Sequence, residues 1–324
     1  MAGRIDTFGL SDVGHVRERN EDQFLIADLK KSVVIHQTSL SYDDETLLMG
    51  ASQAKVFMVA DGVGGGSSGD RASLMAIQGV VQYLLNTMHW LFRLDNDHEG
   101  AFLDDLKAAF AFSQEKIQNF ANLAPLRPHM GTTITMAYVV WPQAYIIHVG
   151  DSRAYVFRDG KAIRLTHDQT YAQALVDAGV MDEKDISTFP LRNVLSGLAS
   201  EDETQLTPEV AQFKLTLNDK LLLCTDGLTQ YVTEVEIARH LSTDLSAEEH
   251  CRQLIHKANN AGGKDNTTVV LAMFTDGSSP RQIAIDAELS EPHPTEAESE
   301  PRPRRTLSAE ALNVVGAEAD IVRR

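Results

Sequence analysis

Five acidic sites in this sequence share a setting that ordinary surface carboxylates do not. Glu21-Asp22 sits in RERNED just ahead of a strand-like run, Asp61 closes FMVADG, Asp151 closes IIHVGDSR, Asp226 closes LLLCTDG, and Asp265 opens GKDNTTVV. A single Asp-Gly is ordinarily a turn or a helix N-cap, and that reading applies to Asp61 and Asp226, which both precede expected helices. It weakens when the pattern recurs at the ends of several apolar strands. If those ends converge, the like charges repel strongly unless cations are held among them. The donors are all oxygens, without paired cysteines or spaced histidines, which suits the hard ions Mg2+ or Mn2+ rather than Zn2+. Two such ions about 3.5–4 Å apart can share a water, lower its pKa and hold both oxygens of an in-line displacement at phosphorus. Arg17, in the same RERNED segment, adds a guanidinium able to grip phosphate oxygens bidentately; a surface ion pair with Glu18 or Glu21 is the equal alternative.

Other chemistries fit less well. Gly64–Gly69 satisfies G-x-G-x-x-G after a strand and before a helix, the dinucleotide-binding fingerprint. That fold needs a second parallel strand ending in an acid about 20 residues on, and a second helical stretch stands there instead. Asp70-Arg71 stands where a Walker loop requires Lys-Ser/Thr, so the glycines read as a flexible loop that lets backbone approach phosphate and metal. Thiolate chemistry at phosphorus needs an arginine closing a short loop, but Gln230 and Lys257 lie six residues after Cys224 and Cys251. No HExxH arrangement is present. His148, on an apolar strand, reads as a satisfied core or rim histidine, and His167 as part of a polar segment rather than a catalytic group.

The elements that must position these residues can be read coarsely. Strand-like runs at 5–10 and 23–29 open the chain. Residues 31–53 read as an irregular excursion with a hairpin (SVVIH) and a polar tip at 42–45. KVFMVA, residues 55–60, is a short apolar run stopped by Asp61-Gly62 and reads as a buried strand. Helices are expected over about 70–92 and 100–122; in the second, Phe102, Leu103, Leu106, Ala109, Phe110 and Phe112 recur at helical spacing, and Pro125 and Pro128 end the region. Strands follow at 132–140, 144–148, 154–158 and 162–165, with turn chemistry at Pro142-Gln143 and Asp159-Gly160. A mixed segment, 167–203, carries one short helix near 171–178. Strands 210–217 and 220–224 are expected to pair through Asn218-Asp219. Helices 235–241 and 247–261 then precede a last strand, 267–274. Strands in antiparallel-type runs and helices in pairs argue for an α+β fold of packed antiparallel sheets covered by helices, not alternating β-α-β units.

Composition narrows the function further. Of 324 residues, 43% are hydrophobic, enough for a sizeable core. The net charge is -17, of which the stretch from Gly277 onward carries only -3, so the body is a poor partner for nucleic acid. Two cysteines fit a reducing compartment. MAGRIDTFGL has no apolar core of signal type, and no segment approaches the roughly 20 apolar residues of a spanning helix. The expectation is a cytoplasmic protein with no membrane partner. From Asp276 on, Ser, Pro, Glu and Arg dominate, which predicts one domain over 1–276 and a disordered tail over 277–324. Within it, RRTLS at 304–308 resembles a basic-directed kinase site, although a solvated linker with chance spacing is the commoner origin.

Taken in order, SDVGHVRERNED, VFMVADGVGG, GTTITMAYV, HVGDSRAYVFRDGKAIRLTHDQT, ALVDAGV, RNVLSGLAS, LLLCTDGLTQYV and GGKDNTTVVL resemble the motifs of the type 2C metal-dependent serine/threonine protein phosphatases, the PPM family, in its bacterial form. The resemblance runs over about residues 8–274. It implies a four-layer αββα sandwich of two antiparallel sheets flanked by helix pairs. It also implies hydrolysis of phosphoserine and phosphothreonine monoesters in proteins by a water bridging two Mn2+ or Mg2+ ions. On this reading Asp61 bridges both metals, the Gly62 carbonyl touches one, and Asp226 and Asp265 complete the other. Glu21 and Asp22 act on the first metal directly or through water, Asp151 holds a third, weaker ion, and Arg17 binds the substrate phosphate. Residues 165–200 match a mobile flap beside the active site. The implied partners are phosphorylated proteins, with a Ser/Thr kinase and its targets, in signalling; a monomer is the default. Two departures stand out. Val63 replaces a His that animal members often carry as the acid for the leaving group, which leaves that proton to water or a metal-bound water. Gly66 or Ser67 stands where many bacterial members have His. Neither change touches an expected ligand. A catalytically dead relative serving as a binding module would lack ligands, and all the expected acids are present.

Overall fold

The structure is a computed structural model. It describes residues 4–35, 46–64, 68–86, 99–123, 130–196 and 207–276, with the stretches 31–35 and 46–53 described by their backbone alone. The strands are β1 (Ile5–Asp12), β2 (Asp22–Ile35), β3 (Thr46–Val63), β4 (Gly131–Thr132), β5 (Ile134–Val140), β6 (Gln143–Val149), β7 (Arg153–Arg158), β8 (Lys161–Arg164), β9 (Glu209–Lys214), β10 (Lys220–Cys224) and β11 (Thr267–Phe274). The helices are α1 (Gly69–Asn86), α2 (Glu99–Leu123), α3 (Tyr171–Asp177), α4 (Asp226–Thr229), α5 (Glu234–Leu241) and α6 (Ala247–Asn260).

Two antiparallel sheets result, one in the order β1-β11-β10-β7-β8 and the other β2-β3-β5-β6-β9, with β4 on the end of β3. Period-two alternation in the central strands buries both faces. Phe57, Val59, Ala137 and Ile146 of one sheet meet Leu221, Leu223, Val270 and Ala272 of the other between the sheets. The intervening residues Val56, Met58, Met136 and Tyr138 pack outward against Ala76, Val80, Leu106 and Phe110 of α1 and α2. On the opposite side Leu222, Cys224, Val269 and Leu271 pack against Ile237, Leu241, Cys251 and Leu254 of α5 and α6. The layers are thus αββα, as the resemblance implies. Thr233 and Ser246 start α5 and α6 with reciprocal capping boxes. Among the described residues, no helix is long and apolar enough to cross a membrane.

Two readings need correction. The strands around 210–217 and 220–224 do not pair: β9 hydrogen-bonds to β6 in one sheet, and β10 lies between β7 and β11 in the other. Asn218 does turn the chain, at φ 73, but the turn carries it from sheet to sheet. Buried Asp219 fixes that crossing by accepting from Arg158 Nε (2.8 Å) and Thr216 N (2.7 Å). Local turn chemistry cannot tell a hairpin from such a crossing. The 31–53 excursion is likewise less irregular than expected. β2 and β3 stay paired beyond Leu29 as far as Ile35↔Thr46, with register shifts at Leu29/Lys30 and Lys30/Ser32. The polar tip at 42–45, Gly66 and Ser67, residues 87–92 and 197–203, and the whole 277–324 tail lie outside the described residues.

Candidate metal centre

Antiparallel register brings the acids together. Asp22 opens β2 directly opposite Asp61 near the end of β3. Asp151 follows β6, whose last residue, Val149, lies opposite Ile134 at the start of β5. In the facing sheet, the end of β10 at Cys224 meets the start of β11 at Val269, so Asp226 and Asp265 emerge side by side. The two sheet ends are stitched by Asp22 itself. Its Oδ2 accepts from Thr225 Oγ1 and Thr268 Oγ1, each at 2.8 Å, and both residues lie in the other sheet's frame. Asn266 closes the arrangement: its Oδ1 accepts from Glu21 N (2.8 Å), and its Nδ2 donates to Val13 O (3.0 Å) and Arg19 O (2.9 Å).

Glycine is needed where these segments touch. A Cβ on Gly62 would lie 2.1 Å from Gly69 O, and one on Gly227 would lie 1.9 Å from Asn266 O. No side chain fits either position without moving backbone.

The electrostatics are those of an uncompensated anionic cluster. Burial, followed by repulsion from Asp226 and Asp265, pushes the Asp22 carboxyl up to about 7. Burial and Asp265 push Asp226 up to about 6. Asp61 is raised well above the usual carboxylate range by burial and by Asp22, Asp226, Asp151 and Asp265; Asp151 is raised by burial and by Asp226 and Asp168. Glu21 is also raised, by burial first. Asp22 is buried, whereas Asp61, Asp151 and Asp226 keep a partly exposed edge.

Divalent cations suit this set on two grounds. Asp22 Oδ1 and Asp226 Oδ1 are buried oxygens without a hydrogen-bond partner, which native structures seldom tolerate. The donors are also all hard oxygens. Among the described residues, however, no three such side chains already form a finished cage. Gln230 Nε2 donates to Asp226 Oδ2 (2.6 Å), and Arg17 occupies Asp265, Nε to Oδ1 at 2.9 Å and Nη2 to Oδ2 at 3.0 Å. Cation loading has to exchange these contacts.

The Arg17 partner is therefore neither Glu18 nor Glu21 but Asp265. Thr225, Thr268, Asn266 and Gln230 were not singled out from the sequence. Their one signal was polarity immediately beside each acid in TDG, KDNTT and DGLTQ. A cleft of about 490 Å3 opens beside Asp151 and Asp226, lined also by Arg153, Arg164, Asp168, Arg192 and Gln230. Arg153 holds Asp168 there at 2.5 Å.

The family model for protein phosphatase 2C matches residues 35–273. The chain belongs to the protein phosphatase 2C family. The chain is 32% identical over 217 residues to the serine/threonine phosphatase stp of Listeria welshimeri, covering 67% of this chain and 83% of that one. It is 32% identical over 224 residues to the serine/threonine protein phosphatase PstP of Mycobacterium tuberculosis, but spans only 41% of that protein's length. Among solved structures, M. tuberculosis PstP aligns with a TM-score of 0.65 at 26% identity, over 84% of this chain and 99% of that one. The PstP catalytic domain in complex with two manganese ions aligns at 0.63, again at 26% identity, over 84% and 99%. Arg17, Glu21 and Asp22 precede the stretch matched by the family model; Arg17 is tied to the acidic cluster by Asp265, Glu21 by Asn266, and Asp22 by Thr225 and Thr268.

Proposed function

We propose that this chain is a metal-dependent serine/threonine protein phosphatase that hydrolyses phosphoserine and phosphothreonine monoesters in other proteins. The observation that carries the proposal is the gathering of Asp22, Asp61, Asp151, Asp226 and Asp265 into one cluster whose mutual repulsion the nearby Arg17 and Arg153 do not offset. Asp61, Asp226 and Asp265, the Gly62 carbonyl, and Glu21 with Asp22 would hold two ions, Mn2+ or Mg2+, with Asp151 toward a third. Such ions would supply a water of lowered pKa and neutralise charge at phosphorus.

The chain's own residues do the rest. Thr225 and Thr268 hold Asp22 rigid from the opposite sheet, and Gln230 orients Asp226. Arg17 is half-exposed and bidentate on Asp265. A guanidinium in that posture can turn to a phosphate with the same two-donor geometry. Val63 offers no proton, so the leaving serine or threonine oxygen takes its proton from water. The substrates are phosphorylated proteins, and a Ser/Thr kinase acting on the same targets is the partner such a reaction requires.

The test is hydrolysis of a phosphothreonine peptide by the full chain with Mn2+, with and without EDTA, beside Asp226→Asn. Turnover that EDTA abolishes and Asp226→Asn lowers by about a hundredfold or more supports the proposal; equal turnover in EDTA refutes it.

A further inference from the structure

Among the described residues, His148 is the one buried histidine of the inter-sheet region, and the proposed chemistry leaves it unused. It is 1% exposed on β6, and every polar contact it makes leads to the frame of the metal centre. Its Nε2 lies 3.0 Å from Gly150 O and 3.1 Å from His167 O. Both are acceptors only, so Nε2 carries the proton. Its Nδ1 lies 2.9 Å from Thr135 Oγ1. Burial pushes the imidazole below its usual range, in keeping with a neutral ring whose Nδ1 accepts from the threonine hydroxyl.

Two paths leave this ring. One starts at the Thr135 hydroxyl, whose single proton is shared between His148 Nδ1 (2.9 Å) and Ser152 O (3.1 Å), and continues from Ser152 Oγ to Thr133 Oγ1 (2.8 Å), which accepts from Asp61 N (3.0 Å). Thr133, Thr135 and Ser152 are all buried. The other path holds the turn carrying Asp151 against the segment after β8. Gln169 N donates to Gly150 O (2.7 Å), Gly150 N donates to Gln169 Oε1 (3.0 Å), and Gln169 O receives Ser196 N (2.9 Å). Gly150 itself sits at φ 110 with Thr133 packed where a Cβ would be. One imidazole thus bonds to the Asp151 turn, to the root of the 167–196 segment that borders the cleft, and through three hydroxyls to the backbone of Asp61.

We propose that His148 is a positioning residue that locks the Asp61 and Asp151 turns and the root of the 167–196 segment into one unit. This rests on the phosphatase reading only for its kinetic readout. Loss of the ring leaves the His167 carbonyl without its donor and the Thr135 hydroxyl with Ser152 O as its one remaining partner, and losses of this kind around a metal centre commonly lower metal affinity about tenfold or more.

The test compares His148→Leu, His148→Gln and a control, Ser113→Ala, in the full chain. Ser113 is a buried hydroxyl donating to Ala76 O (2.9 Å) in the α1–α2 layer, away from the centre. Mn2+ affinity is read by titration calorimetry, amide exchange at Gln169 by mass spectrometry, and kcat against KM on a phosphothreonine peptide. His148→Leu is expected to lose about tenfold or more in Mn2+ affinity, to lose protection at Gln169, and to lower kcat more than it raises KM. His148→Gln, with an amide donor group and a carbonyl acceptor, is expected to recover Mn2+ affinity to within about threefold of the parent. Ser113→Ala is expected to lower the melting temperature without touching Mn2+ affinity.

The proposal is overturned if His148→Leu keeps Mn2+ affinity and Gln169 protection near the parent values, or if Ser113→Ala loses as much. Should His148→Leu not fold, Thr135→Val takes its place, since it cuts the path toward Asp61: a comparable Mn2+ loss supports the proposal, and parental affinity overturns it. If the parent binds Mn2+ yet hydrolyses no phosphopeptide, the phosphatase reading falls, and the Mn2+ and exchange measurements still decide the role of His148.

Discussion

Replacing Asp22 by asparagine is expected to stabilise the metal-free protein at alkaline pH while weakening its hold on divalent ions. Asp22 is buried; its Oδ2 is satisfied by two threonine hydroxyls and its Oδ1 by nothing. Burial and the neighbouring Asp226 and Asp265 move its titration from 3.8 to about 7. Between those values the folded state binds a proton that the unfolded state has released, so stability falls as pH rises through the interval and stays low above it. A displacement of that size corresponds to about 4 kcal/mol. Because Asp61 and Asp226 share the same field, roughly 2–4 kcal/mol is expected for Asp22 alone. An asparagine carbonyl can keep both threonine bonds, and its amide adds a donor among acceptors. Urea unfolding in EDTA should therefore show Asp22→Asn more stable than the parent at pH 8 by that amount and equal to it near pH 4. Saturating Mn2+ should reverse the order at pH 8. A variant less stable than the parent in EDTA at pH 8 would refute the reasoning, because the buried charge would then not be the cost inferred here.

Other outcomes follow from the same geometry. Arg17→Lys keeps the charge but loses the two-pronged grip seen on Asp265, so KM for a phosphopeptide should rise about tenfold while Mn2+ affinity changes little. Gly227→Ala drives a methyl to 1.9 Å from Asn266 O; denaturant melts should show a loss of about 1–3 kcal/mol, with weaker Mn2+ binding because Asn266 anchors Glu21. Burial, with Lys220 and His240 beside it, holds His250 down to about 3. The folded protein keeps that ring neutral while the unfolded chain protonates, so stability drains away as pH falls below about 6.5. A pH series of urea melts should give His250→Gln a flatter acid limb than the parent, by about 2 kcal/mol between pH 7 and 5.

The acids of the centre were legible because charge at the ends of apolar strands has few innocent explanations once repeated. The layers were legible because alternation in FMVA and LLLC feeds two faces. Partner identity was hidden. Asp22 is held by Thr225 and Thr268, and Arg17 by Asp265, each from more than 200 residues away, and local pattern carries no information at that range. The β9–β10 error has the same origin: Asn218-Asp219 marks a turn whether or not the two strands share a sheet. In the 31–53 excursion the hairpin at SVVIH was legible, but the unbroken continuation of β2–β3 pairing into it was not, because register shifts blur simple alternation.

The most direct test of the shared-cation claim is an anomalous difference map from crystals of the full chain grown with Mn2+. Two peaks about 3.5–4 Å apart, bounded by Asp61, Asp226 and Asp265, are predicted. A map without peaks among these three carboxylates, or with manganese bound only elsewhere on the surface, would contradict it.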